Sequence, residues 1–586
     1  MSSLHVLPVV VCVLVACAAF AAEPVELARN GASPFVLVLS ADASPSEKRG
    51  AAEIQSHLKQ MCGAELPIVT DQQPMPARAI FVGRSRHTDA LGIAFDASLD
   101  PEGFILRTAG GHVAIVGSRI RGTMYGCTAF LEKLGVRWLT PKVTVIPKTP
   151  TITVPPLDER QTPAFEYREP YFTEAFNKDW AARIRNNGAT AALDASTGGK
   201  ITYHPFVHSF DKLIPPALFQ TNPEYFPLIK GQRTGGYVQR CLSNPQVLKL
   251  AIEAVRSWIK ERPGAMIYSV SQNDCYRYCE CANCKAIADR YGGVQSGLYL
   301  WFVNQIAEAI EKEHPDKLID TLAYQFTEDA PTGIVPRKNV RVRLCPIAVC
   351  EAHPYEKCSH PKTVAFVKNL RAWAAITDTL YIWHYNINFH NYLMPFPDFE
   401  QFPDSIRLYK RSGVKGIFFE GAYGAGGGSS DAELRSYVMA KLLWDPSLDA
   451  NALVNEWMAG VYGPAAGPMR KWFDLLHEKA RNPEKHFFIY DPPTVHYMSA
   501  DVIKAGDALY DEAERLAADN PVALEYVRKS RLGLRYVKLM QQPTTGSELD
   551  SFLADVRKFG IRELREGRTV DAWEQEYRKK AAAGKR

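Results

Sequence analysis

The chain has almost no excess charge and hardly any long apolar runs. Its 586 residues carry 69 Lys and Arg against 64 Asp and Glu, a formal net charge of +5 with neutral His. A balance this even offers no clustered basic face, which argues against nucleic-acid binding. The clearest basic run, the C-terminal "YRKKAAAGKR", reads as a solvated tail. Past the N-terminus no stretch is apolar for long enough to span a bilayer. Repeats and low-complexity blocks are missing too, apart from the Gly-rich "GAYGAGGGSS" at 421–430, so a repeat architecture is excluded. His204, His208, His353, His384 and His390 are too scattered to make a recognisable metal motif. No thioredoxin-like unit surrounds the C-x2-C spacing, which argues against redox chemistry.

What is present is ordinary globular material. The chain is 46% hydrophobic, with 10 Trp, 26 Tyr and 27 Phe, enough for the cores of two to four domains. "MSSLHVLPVVVCVLVACAAFAAEP" opens with an apolar run from Val6 to Ala19 that ends in small residues, the pattern of a secretory signal over residues 1–22. Ala19-Phe20-Ala21 fits a small-x-small cleavage site and gives a soluble exported protein. Leu14-Val15-Ala16-Cys17 resembles a lipobox, which makes Cys17 a lipidated N-terminus. The soluble form is the preferred reading.

Residues 23–156 read as a compact α/β domain. "PFVLVLS" and "ARAIFVG" are strands, "SPSEKRGAAEIQSHLKQMCG" is a helix with a Ser N-cap and a closing Gly, and "GFILRTAGGHVAIVG" is a hairpin turning on Gly110-Gly111. The Pro- and Thr-rich "PKTPTITVPPLDERQTPAF" reads as a linker. Over 160–448 strands and helices alternate. The eight strand candidates are "FEYREPYF", "ATAALDA", "ITYHPFVH", "AMIYSVSQ", "IDTLAYQF", "VRVRLCPI", "TLYIWHYN" and "GIFFEG". Eight βα units over this length predict a TIM-like (β/α)8 barrel, with a doubly wound open sheet as the alternative. The third strand is the weakest, because a long insertion follows it. Residues 449–586 are helical and read as a buttress for the barrel.

In such a barrel the site lies at the C-terminal ends of the strands. That rule selects Arg168 and Glu169, then His204 and His208, then Asn273 and Asp274. Tyr324, Thr327 and Glu328 follow the fifth strand and Arg343 lies on the sixth, with Glu351 and His353 in the loop beyond. Trp383, His384, Tyr385, Asn386 and Asn388 end the seventh and Glu420 the eighth. Aromatic faces for pyranose rings, amides and cations for hydroxyls, and paired carboxyls for glycosidic cleavage suit a sugar. Asp274 and Glu420 are the expected catalytic pair, with Glu328 and Glu351 as rivals for the second carboxylate. Arg168, His208, Asn273, Tyr324, Arg343, Trp383, His384 and Asn386 are the expected substrate contacts. No metal or cofactor is expected at the site.

The pieces "LKQMCGAELPI", "IFVG", "GFILRT" and "RGTMYGCTAFLEKLGVRWLTP" resemble the non-catalytic α/β domain that precedes the barrel in family 20 β-hexosaminidases and family 67 α-glucuronidases. The middle of the chain resembles the domain-of-unknown-function family 4838 of exported bacterial proteins. The matching pieces are "NPEYFPLIKGQR", "CLSNP", "SVSQNDCYRYCECANC", "TLAYQFTEDAP", "YIWHYN", "PFPD" and "GVKGIFFEG…LRSYVMAKLLWDP". The resemblance implies a glycoside hydrolase-like protein. In the hexosaminidases the general acid stands in an acidic pair after strand four, so Asp274 takes that role while Asn273 replaces the other acid. A non-catalytic carbohydrate-binding protein on the same scaffold is the competing class.

Cys275, Cys279, Cys281 and Cys284 crowd into ten residues. Export favours disulfides, within the cluster or to Cys345, Cys350 or Cys358. Structural zinc on the four clustered cysteines is the second reading, since zinc sites usually draw on two separated pairs. A thiol or metal enzyme centred on them is a third. On either leading reading the cluster stiffens the loop after the fourth strand.

Overall fold

A computed structural model describes residues 24–583, apart from 94, 100 and 425. The signal segment, with Cys12 and the candidate lipid anchor Cys17, lies outside the described residues. Among those described, no helix is long and apolar enough to cross a membrane.

The N-terminal unit is a six-stranded sheet in the order Asp158–Gln161, Phe104–Ala109, His112–Gly117, Ala79–Val82, Val36–Leu39, Ile68–Thr70. The predicted hairpin forms, with Gly110 and Gly111 both at positive φ (56° and 79°), a backbone that only glycine adopts freely. Ser44 caps the helix Pro45–Cys62 in a reciprocal box with Glu47, and Gly63 closes it in the left-handed conformation. That helix packs against Gly122–Lys133 where Gly50 meets Cys127; a β-carbon on Gly50 would stand 2.7 Å from the Cys127 sulfur. Residues 151–161, read as a linker in the sequence, instead build two strands. Thr151–Val154 pairs with Val25–Arg29, and Asp158–Gln161 extends the main sheet. Their β-branched and alternating residues outweigh the flanking prolines, which fall between the strands.

The central unit is a parallel sheet of six strands in the order Tyr167–Tyr171, Gly416–Glu420, Tyr381–Tyr385, Val340–Leu344, Leu318–Ala323, Ile267–Ser269. Six of the eight predicted strands form. "ATAALDA" does not, because Asp194 caps a 3-10 turn at Ala195–Thr197 that runs into Gly198 and Gly199, both at positive φ. "ITYHPFVH" shrinks to a single bridge between Tyr203 and Ile267, since Pro205 has no N–H to extend a ladder. Irregular backbone fills both places. The Asn187 N–H donates to the Arg168 carbonyl, Ile201 to Asn187, and Ile267 to Thr202, which joins the first strand to the Ile267–Ser269 edge. The architecture is therefore an N-terminal α/β domain, a barrel half built of regular strands, and a helical C-terminal region.

Side chains alternate along each strand, so Tyr167, Glu169 and Tyr171 share one face and Arg168 the other. Tyr167 stacks on Tyr381 at 5.8 Å inside the barrel. Arg168 instead reaches the N-terminal domain, where its guanidinium and that of Arg121 bind the buried Glu102 at 2.6 and 2.7 Å; Asn187 adds a third donor at 3.0 Å. Burial pushes the Glu102 carboxyl up, but the two guanidiniums outweigh it and hold the group below its ordinary range. Breaking a buried ion cluster of this kind costs about 3–5 kcal/mol, because the remaining charges stay desolvated. Glu102→Gln is expected to lower the first urea transition by that order and to expose the junction near residue 160 to protease. An unchanged midpoint and digestion pattern would show that the two units are held by other contacts.

Candidate active site

Three neighbouring strands end in register: Tyr171 and Tyr385 are both paired to Glu420. Their side chains rise together at the C-terminal mouth and frame a cavity of about 340 Å³. Trp383 and Phe206 line its floor, and Asp274, Tyr324, Cys345 and His208 come from the ends of the other strands and the segment that replaces the third. Tyr423 enters from the Gly-rich loop. Tyr490 and Glu566 come from the C-terminal region, which therefore supplies cavity wall as well as support.

Three carboxyls share this space, and among the lining residues there is no Lys or Arg. Glu420 is buried, and its carboxyl accepts the Trp383 indole N–H at 2.8 Å. Burial raises its carboxyl to about 8, helped by the charges of Glu566 and Asp274 and opposed by the indole donor. Glu566 sits in the turn of a hairpin between Glu563–Arg565 and Arg568–Thr569. It accepts the Tyr423 hydroxyl at 3.0 Å and is raised mainly by burial, with Asp274 adding to the effect. Asp274 is exposed. Its carboxylate accepts the Tyr324 hydroxyl at 3.1 Å, while its N–H donates to the Tyr237 hydroxyl at 2.9 Å. The arrangement separates a carboxyl that keeps its proton near neutrality from a solvated one.

Of the predicted contacts, His208, Tyr324 and Trp383 line the cavity with Asp274 and Glu420. His208 is fixed there by a hydrogen bond between Nδ1 and the Gln272 carbonyl at 2.7 Å. Five lie elsewhere. Arg168 serves the Glu102 cluster. Asn273 is buried behind the loop, donating to Asp211 at 2.6 Å and to the Val238 carbonyl at 2.8 Å. His384 occupies the outer face of its strand, one residue out of phase with Trp383 and Tyr385. There it bonds the Tyr409 hydroxyl at 2.7 Å, and burial lowers its pKa to about 3. Asn386 donates to Asp398 at 2.9 Å. Arg343 lies below the floor, 3.4 Å from Asp320, with Tyr203, Phe206, Trp383 and Phe418 ringed around its guanidinium at 4.7–5.6 Å. The rival acids are also off the cavity: Glu351 packs behind the sheet against His384 and Tyr355, and Glu328 turns toward Asn369. Glu566 and Tyr490 were missed, and no motif in the helical region marks them.

The cysteines depart from the expected disulfides. All ten between Cys62 and Cys358 are unpaired. Cys275 stands apart from the cluster, its sulfur accepting from the Gln239 amide at 3.5 Å, and Cys241 takes its place beside Cys279, Cys281 and Cys284. Cys241 lies in "CLSNP", far back in sequence, and only the fold brings it in.

The chain resembles several solved glycosidases. A family GH115 4-O-methyl-α-glucuronidase with specificity for decorated arabinogalactans superposes with a TM-score of 0.58 at 13% identity, over 92% of this chain and 76% of that one. A GH138 enzyme targeting pectin rhamnogalacturonan II gives 0.45 at 11%, over 94% and 99%. The Flavobacterium johnsoniae chitobiase gives 0.42 at 11%, over 92% and 93%. At these identities the likeness is one of fold, which is glycoside-hydrolase-like. No curated protein matches the chain. The glycosyl hydrolase family 67 N-terminus matches residues 26–130. With residues 138–474 matched by the family described as "Domain of unknown function (DUF4838)", more than half of its length, the chain belongs to that family.

Proposed function

We propose that this protein is an exported glycoside hydrolase acting on a glycan, with Glu420 as general acid and Asp274 as the charged partner. The observation that carries the reading is the trio of carboxyls on one aromatic-lined cavity, with Glu420 raised to about 8. A glycosidic oxygen needs a proton as its bond breaks, and a second carboxylate must act as nucleophile or base. Glu420 keeps its proton at neutral pH. Asp274, exposed and hydrogen-bonded by Tyr324, is the second carboxyl group. These roles reverse the order drawn from the hexosaminidase resemblance. Tyr171, Tyr385, Tyr423 and Trp383 offer faces for sugar rings, and the cavity suits the end of a glycan better than a long stretch of one. The export reading rests on the apolar N-terminal run.

A panel of polysaccharides and aryl glycosides tests the activity. Glu420→Ala is expected to slow hydrolysis of unactivated glycosides by about 10²–10⁴ and to spare aryl glycosides whose phenol leaves without a proton. Equal losses on both substrates would remove Glu420 as the acid. Binding without turnover across the panel would favour the carbohydrate-binding class instead. Because the protonated form is the active one, kcat/KM falls as pH rises through about 8. Glu566→Gln, which removes a charge that raises Glu420, is expected to move that limb to lower pH.

Stability gives a check without substrate. A carboxyl raised in the folded state favours folding below its unfolded pKa, and this advantage is lost as pH climbs through the folded value. Glu420→Gln should therefore match the parent near pH 4 and exceed it in unfolding free energy by a margin that grows up to about pH 8 and then levels off, at on the order of a few kcal/mol. A gap that does not change with pH would mean that Glu420 titrates normally.

A further inference from the structure

Among the described residues two clusters, one of sulfur and nitrogen atoms and one of sulfur alone, lie outside the cavity, and nothing in the proposed chemistry uses them. In the first, Cys350, His353 and Cys358 come from the loop after Val340–Leu344, and His486 comes from the segment after the helix Ala466–Ala480. The Cys350 sulfur stands 3.3 Å from His486 Nδ1 and 3.6 Å from His353 Nδ1; the Cys358 sulfur stands 3.8 and 3.9 Å from the same two nitrogens. A tetrahedral zinc, with Zn–S of about 2.3 Å and Zn–N of about 2.0–2.1 Å, requires S···N edges of about 3.5 Å. Two thiols can donate only two S–H···N bonds, so hydrogen bonding does not account for four such edges. His353 also has the wiring of a ligand. Its Nε2 bonds the Asn482 carbonyl at 3.1 Å, which puts the ring proton on that nitrogen and leaves the Nδ1 lone pair facing the sulfurs. The Ala352 N–H points at the Cys350 sulfur at 3.3 Å, as expected around a thiolate.

The second cluster is the quartet Cys241, Cys279, Cys281 and Cys284. Cys241 stands 3.7 Å from Cys281 and 3.9 Å from Cys284, against an S···S edge of about 3.8 Å in a tetrathiolate zinc site. A disulfide would need about 2.05 Å. Cys281 and Cys284 form a knuckle at the start of the helix Ala282–Arg290, and the Leu228 N–H donates to Cys279 at 3.2 Å.

We propose that the chain holds two structural zinc ions, one bound by Cys350, His353, Cys358 and His486 and the other by Cys241, Cys279, Cys281 and Cys284. Both sites have four protein ligands and no open position, so neither is a catalytic centre. Each fixes a segment that serves the cavity. His486 lies four residues before Tyr490, and the Cys350 loop is stitched to the same segment where the Glu351 N–H donates to the Phe487 carbonyl at 3.0 Å. Cys241 lies two residues after Gln239, whose side chain bonds the Asn273 and Cys275 carbonyls at 2.8 and 2.6 Å on either side of Asp274. The proposal rests on ligand geometry and does not depend on the glycosidase reading.

The test is the metal content of untagged full-length protein, reconstituted with zinc chloride and freed of loose metal on a chelating resin. Two zinc ions per chain are expected, falling to one in Cys350→Ser/His486→Ala and to one in Cys241→Ser/Cys281→Ser. Cobalt substitution gives a second readout on the parent, since tetrahedral thiolate sites show intense ligand-field and sulfur charge-transfer bands. His486→Cys, which keeps four ligands, is expected to retain both ions and to shift the cobalt spectrum. Two zinc ions retained after the Cys350/His486 change overturn the mixed site, two retained after the Cys241/Cys281 change overturn the quartet, and a parent with a single zinc overturns whichever site's variant leaves that ion in place. No zinc and no cobalt bands, with the cysteines recovered as free thiols or disulfides, overturns both.

Discussion

The strands Tyr167–Tyr171, Tyr381–Tyr385 and Gly416–Glu420 share one register, and their two-residue alternation decides what every other part of the site can do. With Glu420 paired to Tyr171 on one side and Tyr385 on the other, all three side chains rise at the same level. The level beneath holds Trp383, Phe418 and Glu169, so the Glu420 carboxyl stands on a largely aromatic floor. That is why it is desolvated, and why the indole N–H of Trp383, two residues below Tyr385, is the donor that reaches it. A strand-by-strand shift of one residue would put His384 and Phe419 into the barrel and the carboxyl outside it.

Below the cavity the barrel carries a charge of its own. Arg343 is fully buried among four aromatic rings, with Asp320 as its nearest counter-charge. Burial lifts Asp320 to about 6, despite the pull of Arg343 and a hydrogen bond from Ser269 at 3.0 Å. The guanidinium itself stays charged, because a delocalised cation against ring faces is less costly to bury than an ammonium. Trp383 and Phe206 therefore have Arg343 on one side and the cavity on the other. These rings are held from below, so the surface they offer the cavity is fixed before any ligand arrives.

The sequence made much of this legible where local chemistry repeats. The Gly110-Gly111 hairpin, the Ser44 cap, six of the strands, and Asp274, Tyr324, Trp383 and Glu420 at strand ends all follow from short patterns. Phase was harder to read. Arg168, His384 and Arg343 are strand residues, and only the paired register says which face they take; two of them point out of the barrel and one lies too deep. Asn273 also ends a predicted strand, but its amide donates to Asp211 and to the Val238 carbonyl away from the cavity. Glu566 and Tyr490 were out of reach for another reason. They sit in a turn and a loop of a helical region, and their role exists only once that region folds over the mouth. Cys241 and His486 belong to the same class, since each joins partners far away in sequence.

The segments that bring Asp274 and Tyr490 to the mouth contain little regular structure. From Ser209 to Cys281 only the helix Pro245–Glu261 is long, and the stretch from Arg481 to Ser499 holds a single 3-10 turn. Ordering such backbone costs about 1–2 kcal/mol per residue. Cross-links at a few points are an efficient remedy, because a bond between distant residues removes loop entropy from the unfolded chain. Cys241 and His486 each tie such a segment to a second loop within a few residues of a cavity side chain. The regular strands set the depth and burial of Glu420, and the two sulfur-rich knots set where Asp274 and Tyr490 stand over it.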